Sequence, residues 1–243
     1  MRRGVPGGAA TRLHPPVRSR PLRLILAAIV SVTGFAVLVS LGAWQLARLD
    51  WKEGLLAEME TRLAAQPAPL PAAPSPQADR FRATRLEGRI ETPGIAVFGT
   101  WRGGGAGYRI VNPFRTDDGR TVLLDRGIAA APEAARRAPE GRIAVEGHLD
   151  WPDDPDAAPG DLQETWTVRN VGALARTLGT EPVLVVARAT SEAGGAVTPV
   201  PIDTAGIPNS HLGYAIQWFG LALVWGGMAG YWFWRALRRG EVR

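Results

Sequence analysis

The chain has 243 residues, 46% of them hydrophobic, and 28 basic residues against 23 acidic ones give a formal net charge of +5. Cysteine is absent, which excludes disulfides, iron–sulfur ligation, thiolate zinc sites and cysteine nucleophiles. Three histidines and three methionines also exclude zinc enzymes built on several histidines and Met-rich copper(I) clusters.

The first predicted elements are a basic tail over residues 1–23, which carries six arginines and no acid, and an uncharged block over residues 24–47. In a helix, the 24 residues of this block reach about 36 Å, more than the roughly 30 Å of a bilayer core. We therefore predict a transmembrane helix. A cleaved signal peptide is the alternative, but the block is long and no clear small-x-small cleavage site follows it.

Residues 48–66 are predicted to continue this helix outside the membrane, with Gly54 as a weak point and Glu58–Arg62 as an i,i+4 ion pair. Five prolines between residues 67 and 76 then exclude a helix or a central strand. They predict an extended, polyproline-like linker over residues 67–79.

Residues 80–208 are predicted to form a domain rich in β-strands. Six short runs of strand-forming residues are separated by turn residues: Thr84–Ile90, Ile95–Thr100, Tyr108–Phe114, Thr121–Asp125, Arg142–Leu149 and Val183–Ala189. Gly103–Gly107 and Asp117–Gly119 predict hairpin turns, and a helix is expected around Val168–Leu178, ended by Gly179. This pattern predicts an α+β fold that is mainly antiparallel β.

Polar residues of this domain are interpreted as structural. A solvated acidic loop is predicted, with a calcium site as the alternative, although the spacing fits no EF-hand. The loop contains Asp150, Asp153, Asp154, Asp156 and Asp161. His148 alternates with Glu146 and Asp150, which predicts a solvated strand face. Asp125-Arg126-Gly127 ends a hydrophobic strand, which predicts a buried ion pair or, alternatively, a binding spot.

A second transmembrane helix is predicted over residues 211–234, because residues 212–234 carry no charge; a buried core helix is the alternative. A basic tail follows over residues 235–243, with four arginines and one glutamate. Because positive flanks stay in the cytoplasm, we expect both termini there and the central domain across the membrane.

We favour the inner membrane of a bacterium with a periplasmic domain; the mitochondrial intermembrane space is the alternative. Prolines and glycines in the N-terminal tail break any amphipathic transit helix. The basic residues flank apolar segments and do not gather on one domain, so nucleic acid is not an expected partner. Membrane lipid is.

His211 lies where the chain re-enters the membrane. It is either an interfacial or helix-start histidine, with Asn209 or Ser210 as N-cap, or a ligand, because neutral imidazole binds metals and haem iron. Four residues recur every seven positions and so share one helix face, with Tyr214 near it: His211, Trp218, Trp225 and Trp232. This face predicts either a helix-packing stripe or a surface on which a planar macrocycle stacks, and spacing alone favours packing.

Three segments resemble the Surf1 family. Leu41–Arg48 with Trp51-Lys52 resembles its Gly-x-Trp-Gln-x-x-Arg signature, and Asn209–Phe219 resembles its C-terminal signature. Gly107–Phe114 and Val122–Gly127 resemble its central domain. Two departures are visible, Ser210 where the family usually has asparagine and Ile128 where it usually has tryptophan.

The resemblance implies a biogenesis factor for cytochrome c oxidase that receives haem a from its synthase and assists its insertion into oxidase subunit I. It implies that His211 binds haem; we expect this residue to be an axial ligand of the iron, with Tyr214, Trp218 and Trp44 lining the macrocycle. The alternative is a scaffold that binds no cofactor and holds subunit I during maturation. No enzymatic activity is expected, because the chain shows no nucleophile elbow or metal cluster.

Overall fold

A computed structural model describes residues 20–101, 105–155, 166–193 and 195–239. The described residues form two compact units: one comprises those up to Trp51 and from Asn209 onward, and the other is Lys52–Pro208. In chain order the elements are α1 (Arg20–Ala64), β1 (Ala68–Pro69), α2 (Pro76–Asp79), β2 (Ala83–Ile90), β3 (Ile95–Trp101), β4 (Gly105–Thr116), β5 (Thr121–Ala129), a 3₁₀ helix (Pro132–Arg136), β6 (Ile143–Asp150), α3 (Val171–Leu178), β7 (Leu184–Thr190) and α4 (His211–Arg238).

Two of the described helices, α1 and α4, are long and apolar enough to cross a membrane. α1 continues through Gly54 as one helix of 45 residues, about 68 Å long. Its outer part contains the expected ion pair, with Arg62 Nη2 lying 2.8 Å from Glu58 Oε1. The helix therefore reaches well beyond its uncharged block.

Two glycines of α1 allow aromatic side chains of α4 to approach closely. A Cβ atom at Gly34 would lie 2.8 Å from the ring of Trp225, and one at Gly42 would lie 2.8 Å from the ring of Phe219. On α4, Ala215 and Ala222 are buried. Small residues with aromatic rings seated over them are a common way for apolar helices to pack, because van der Waals contact drives association in lipid.

The Lys52–Pro208 unit contains a closed β-barrel. The strand order is β1-β2-β6-β7-β5-β4-β3, and a further pairing of β2 with β4 closes the ring. Among the described strands, five pairings are antiparallel, whereas β1–β2 and β5–β7 are parallel. The predicted antiparallel majority is therefore confirmed, and the closure of the barrel is an addition to the prediction.

Each predicted strand overlaps one of the observed strands β2 to β7. Asp117–Gly119 forms the predicted turn between β4 and β5, with Gly119 at φ +90°. β3 and β4 also form a hairpin, whose tip at residues 102–104 lies outside the described residues. α3 begins three residues later than predicted, because Asn170 caps it by accepting the Ala173 N–H at 2.9 Å, and it ends at Gly179 as predicted.

Alternate residues of the barrel strands pack into two apolar clusters. The inner cluster takes side chains from all five barrel strands, among them Leu86, Phe114, Leu124, Val145 and Val185. The outer cluster contains α3 residues such as Leu174, packed with Leu123 and Val186. Neighbouring strand residues point to opposite faces, so Leu123 and Leu124 belong to different clusters.

The prediction of an extended linker over residues 67–79 is wrong in part, because residues 76–79 form the helix α2 and an earlier part of the segment packs on the barrel. Ala68–Pro69 pairs in parallel with β2, and Leu70 packs against the inner cluster. Ser75 then caps the short helix α2. Proline has no N–H to donate to a neighbouring strand, and an edge strand tolerates this because one of its sides is unpaired.

The prediction of a solvated His148 is wrong. Its side chain is only 2% exposed, and Nε2 lies 3.0 Å from the carbonyl oxygen of Leu63, because the last turn of α1 covers this side of β6. Nδ1 is buried and has no hydrogen-bond partner. Burial lowers the pKa of His148, and the positive charge of Arg188 lowers it further. The hydrogen bond to Leu63 acts in the opposite direction and raises this pKa.

The acidic loop is only partly solvated. Asp150, at the end of β6, is buried and accepts a hydrogen bond from Arg80 Nε at 3.2 Å, whereas the other partner of Arg80, Asp153, is exposed. Burial raises the pKa of Asp150, while the charges of Arg80 and Arg169 oppose that shift. Asp156 and Asp161 lie outside the described residues.

Asp125 and Arg126 are both buried, as predicted, but they do not pair with each other. Asp125 accepts hydrogen bonds from Arg109 and Arg169, whereas Arg126 pairs with Glu192. The two are neighbours on β5, so their side chains leave the strand in opposite directions. The interpretation as a structural group is supported, with different partners from those expected.

Candidate functional site

His211 is the first residue of α4. The residue before it, Ser210, occupies the N-cap position at φ −101° and ψ 7°, and its side chain makes no capping hydrogen bond. The backbone carbonyl of Ser210 accepts the Tyr214 N–H at 3.2 Å and so closes the first turn. His211 therefore lies at a helix terminus, where its side chain is partly buried.

A glutamine of α1 holds the His211 ring. Gln45 Oε1 lies 2.8 Å from His211 Nδ1, and both side chains are partly buried. With the amide in this orientation, its oxygen accepts the hydrogen bond and the ring nitrogen Nδ1 is the donor. A neutral imidazole with its proton on Nδ1 carries its lone pair on Nε2, which is the form that binds a metal ion.

Tyr214 and Trp218 follow His211 on α4, one and two helical turns later. The side chain of Tyr214 is 50% exposed, whereas Trp218 is partly buried. Trp44 precedes Gln45 on α1 and is 57% exposed. Large aromatic residues therefore lie close to His211 and Gln45 in sequence, and the side chains of Tyr214 and Trp44 are exposed.

Trp225 has a packing role. Its Nε1–H donates to the Ser31 carbonyl oxygen at 2.9 Å, and its ring covers Gly34. Together with Trp232 and with α1 residues such as Val30, it lines an apolar groove between the helices. The seven-residue spacing therefore includes at least one position that serves helix packing, which is the alternative favoured by spacing alone.

The donor set at His211 fits an iron that already has other ligands. Among the described residues there is no group of three or more histidines or carboxylates that could hold a metal ion. A bare cation needs several protein donors, whereas a porphyrin supplies four nitrogens and leaves only axial positions to the protein. One imidazole with Nε2 as its ligating atom meets that requirement.

Sequence reasoning assigned no role to Gln45, although the residue stands in the Gly42-x-Trp44-Gln45 signature. Periodicity within one helix groups residues along that helix and carries no information about pairs between helices. The contact joins positions 166 residues apart. The signal that the sequence did contain was the glutamine itself, a polar side chain at the end of an uncharged block.

Comparison with known proteins gives a consistent family match. The model of the SURF1 family matches residues 32–223. Surfeit locus protein 1 of Homo sapiens is 31% identical over 222 residues, which cover 79% of this chain and 71% of the human protein. The Mus musculus protein of the same name is 27% identical over 235 residues, covering 85% and 74%. The cytochrome oxidase assembly protein SHY1 of Saccharomyces cerevisiae is 30% identical over 166 residues, covering 59% and 41%.

Proposed function

The chain belongs to the SURF1 family, and on that premise we propose that it assists the assembly of cytochrome c oxidase by delivering haem a to subunit I. The name of the yeast relative, a cytochrome oxidase assembly protein, supports the assembly role. The proposed role is non-catalytic: the protein binds and transfers, and no bond of the cargo is made or broken apart from iron ligation.

The observation that carries the haem proposal is the oriented imidazole of His211, whose Nδ1 is held by Gln45 at 2.8 Å. In this proposal His211 Nε2 ligates the iron from one axial side. Tyr214, Trp218 and Trp44 contact the macrocycle, for which the exposure of Tyr214 and Trp44 leaves room. Haem, when bound, would supply the iron that His211 Nε2 holds.

A single protein ligand suits cargo that must be released. His211 would be the single protein ligand of the iron, so release would require the loss of one protein–iron bond. Subunit I of the oxidase is the proposed acceptor, and haem a synthase is the proposed donor.

The proposed location is the inner membrane of a bacterium. Positive residues in both tails support a topology with both termini in the cytoplasm and the barrel in the periplasm. The length and apolar character of α1 and α4 support two membrane crossings, with lipid around both helices.

The proposal is tested by producing the full chain together with haem a synthase, purifying it in detergent and recording its absorbance spectrum. Wild-type protein should carry haem a, and His211→Ala should lose most of it. His14→Ala, which removes another histidine, serves as the matched control and should leave the haem content unchanged. Equal haem in wild-type and His211→Ala proteins would end the ligand assignment.

The alternative, a scaffold without a cofactor, predicts a different pair of results. In cells, His211→Ala should then leave both the haem content of oxidase and the binding of this protein to subunit I unchanged. The haem-delivery proposal instead expects His211→Ala to lower the haem occupancy of oxidase while co-purification with subunit I persists. Measuring both quantities on the same preparation separates the two functions.

A further inference from the structure

We infer that Gln45 is the positioning residue of the iron site: it selects the imidazole tautomer of His211 and fixes the direction in which Nε2 points. This inference rests on the proposed function, because it concerns how His211 presents its lone pair to iron. The assignment follows from one contact, the 2.8 Å hydrogen bond between Gln45 Oε1 and His211 Nδ1.

Tautomer selection matters because a free neutral imidazole carries its single proton on either ring nitrogen. Iron binds only a nitrogen that has no proton. With an amide oxygen facing Nδ1, the form protonated at Nδ1 gains a hydrogen bond, whereas the other form would place two lone pairs against each other. Gln45 therefore favours the form with its lone pair on Nε2.

Orientation follows from the same bond. The orientation of the imidazole is set by two side-chain torsions, and the hydrogen bond to Gln45 restricts both. Gln45 belongs to the continuous helix α1, so the hydrogen bond ties the ring of His211 to the neighbouring helix. A hydrogen bond to the ring nitrogen that does not bind the metal orients a metal-binding histidine and increases its basicity.

The position of Gln45 agrees with a supporting role and not with direct ligation. An amide is a weak ligand for haem iron, and the oxygen of this amide is already engaged by the ring. A carboxylate at the same position would accept the same hydrogen bond more strongly and shift negative charge onto the imidazole. Gln45→Glu is thus a conservative variant with a predictable electronic effect.

The test uses the full chain in detergent micelles and ferric iron protoporphyrin as the probe. Absorbance titrations give the dissociation constant for wild type, Gln45→Leu, Gln45→Glu and His211→Ala, and potentiometry gives the midpoint potential of each loaded protein. Gln217→Leu is the matched control, because this glutamine of α4 is exposed. Thermal unfolding by circular dichroism shows whether each variant is folded.

We expect Gln45→Leu to weaken binding by about 10- to 100-fold. Gln45→Glu should retain tight binding and lower the midpoint potential, a shift that a purely structural role would not cause. Gln217→Leu should match wild type. If Gln45→Leu is folded and binds within twofold of wild type, while His211→Ala has lost binding, this inference is wrong and the proposed function stands. If His211→Ala also binds normally, the proposed iron site itself is wrong.

Discussion

The indole Nε1–H of Trp225 in α4 donates a hydrogen bond of 2.9 Å to the carbonyl oxygen of Ser31 in α1. The ring is seated over Gly34, where a side chain would leave it no space. The bond satisfies the polar N–H of the indole within an apolar helix pair and fixes the register of the two helices.

Trp225→Phe should weaken the helix pair without affecting the iron site. Phenylalanine retains a ring over Gly34 but loses the hydrogen bond, and we expect a loss of about 1 kcal/mol in the free energy of unfolding, measured by titration with SDS in mixed micelles. The affinity for iron protoporphyrin should stay within twofold of wild type. Trp232→Phe, at a more exposed ring, is the control. A Trp225→Phe protein of normal stability and weakened haem binding would instead assign the ring to the ligand surface.

The stability of the full chain should fall on acidification because of His148. Burial lowers the pKa of this group below its ordinary value of 6.5, so below about pH 6.5 the unfolded chain binds a proton that the folded chain does not. The contribution to stability is therefore complete above pH 6.5 and decreases as the pH falls from 6.5 toward the folded pKa. Thermal unfolding midpoints between pH 7.5 and pH 5.5 measure the slope.

His148→Gln isolates this effect, since an amide can donate to the Leu63 carbonyl but does not titrate. The variant should show a shallower decrease than wild type over the same pH interval. If the unfolding midpoints of His148→Gln and His148→Met decrease with falling pH as steeply as that of wild type, other groups, and not this imidazole, determine the acid sensitivity.

Gly127 is expected to tolerate no side chain. It has φ +121°, and a Cβ there would lie 2.0 Å from the carbonyl oxygen of Thr198. Gly119, at φ +90°, has no atom within 4 Å of such a Cβ, so Gly119→Ala measures the backbone cost alone, about 1–2 kcal/mol. Gly127→Ala should lose at least about 1 kcal/mol more in chemical unfolding. Equal losses in the two variants would contradict the close approach.

Arg126→Met should be among the more damaging substitutions in the barrel. The guanidinium is buried and bonds to Glu192, to Asn112 Oδ1 at 3.1 Å and to the Arg137 carbonyl at 2.8 Å. Removing it leaves these acceptors unpaired, and breaking a buried pair costs about 3–5 kcal/mol.

Arg115→Met is the matched control for that variant, because the Arg115–Glu91 pair has side chains 63% and 42% exposed. Exposed pairs contribute about 0–1 kcal/mol, so the control should remain close to wild type in the same urea titration. If Arg126→Met also loses only about 0–1 kcal/mol in the free energy of unfolding, water takes the place of the guanidinium at its former acceptors.

Much of the fold was predictable because its signals are local. Charge-free blocks located α1 and α4, and runs of strand formers located β2 to β7. Gly179 ended α3 as expected, since it adopts the left-handed conformation that glycine permits. The closure of the barrel through β2 and β4 was not predictable, because pairing between distant strands leaves no periodic signal in either one.

The same limit explains the errors in the polar groups. His148, Glu146 and Asp150 alternate as a solvated face would, but the last turn of α1, 85 residues away from His148 in sequence, covers the ring. Asp125 and Arg126 suggested a pair because they are adjacent, and the strand geometry separates them. The Gln45–His211 contact escaped prediction for the same reason, since it joins two helices.

The place of β7 in the sheet sets a constraint on biosynthesis. β7 lies between β5 and β6, so both of those strands retain a free edge until residues 184–190 have emerged. Only 20 residues separate Thr190 from His211, which corresponds to about 1–4 s of translation at about 5–20 residues per second. The two aggregation-prone edges therefore stay open together while the chain between Asp150 and Thr190 is made, and the last barrel strand is synthesised before α4 begins.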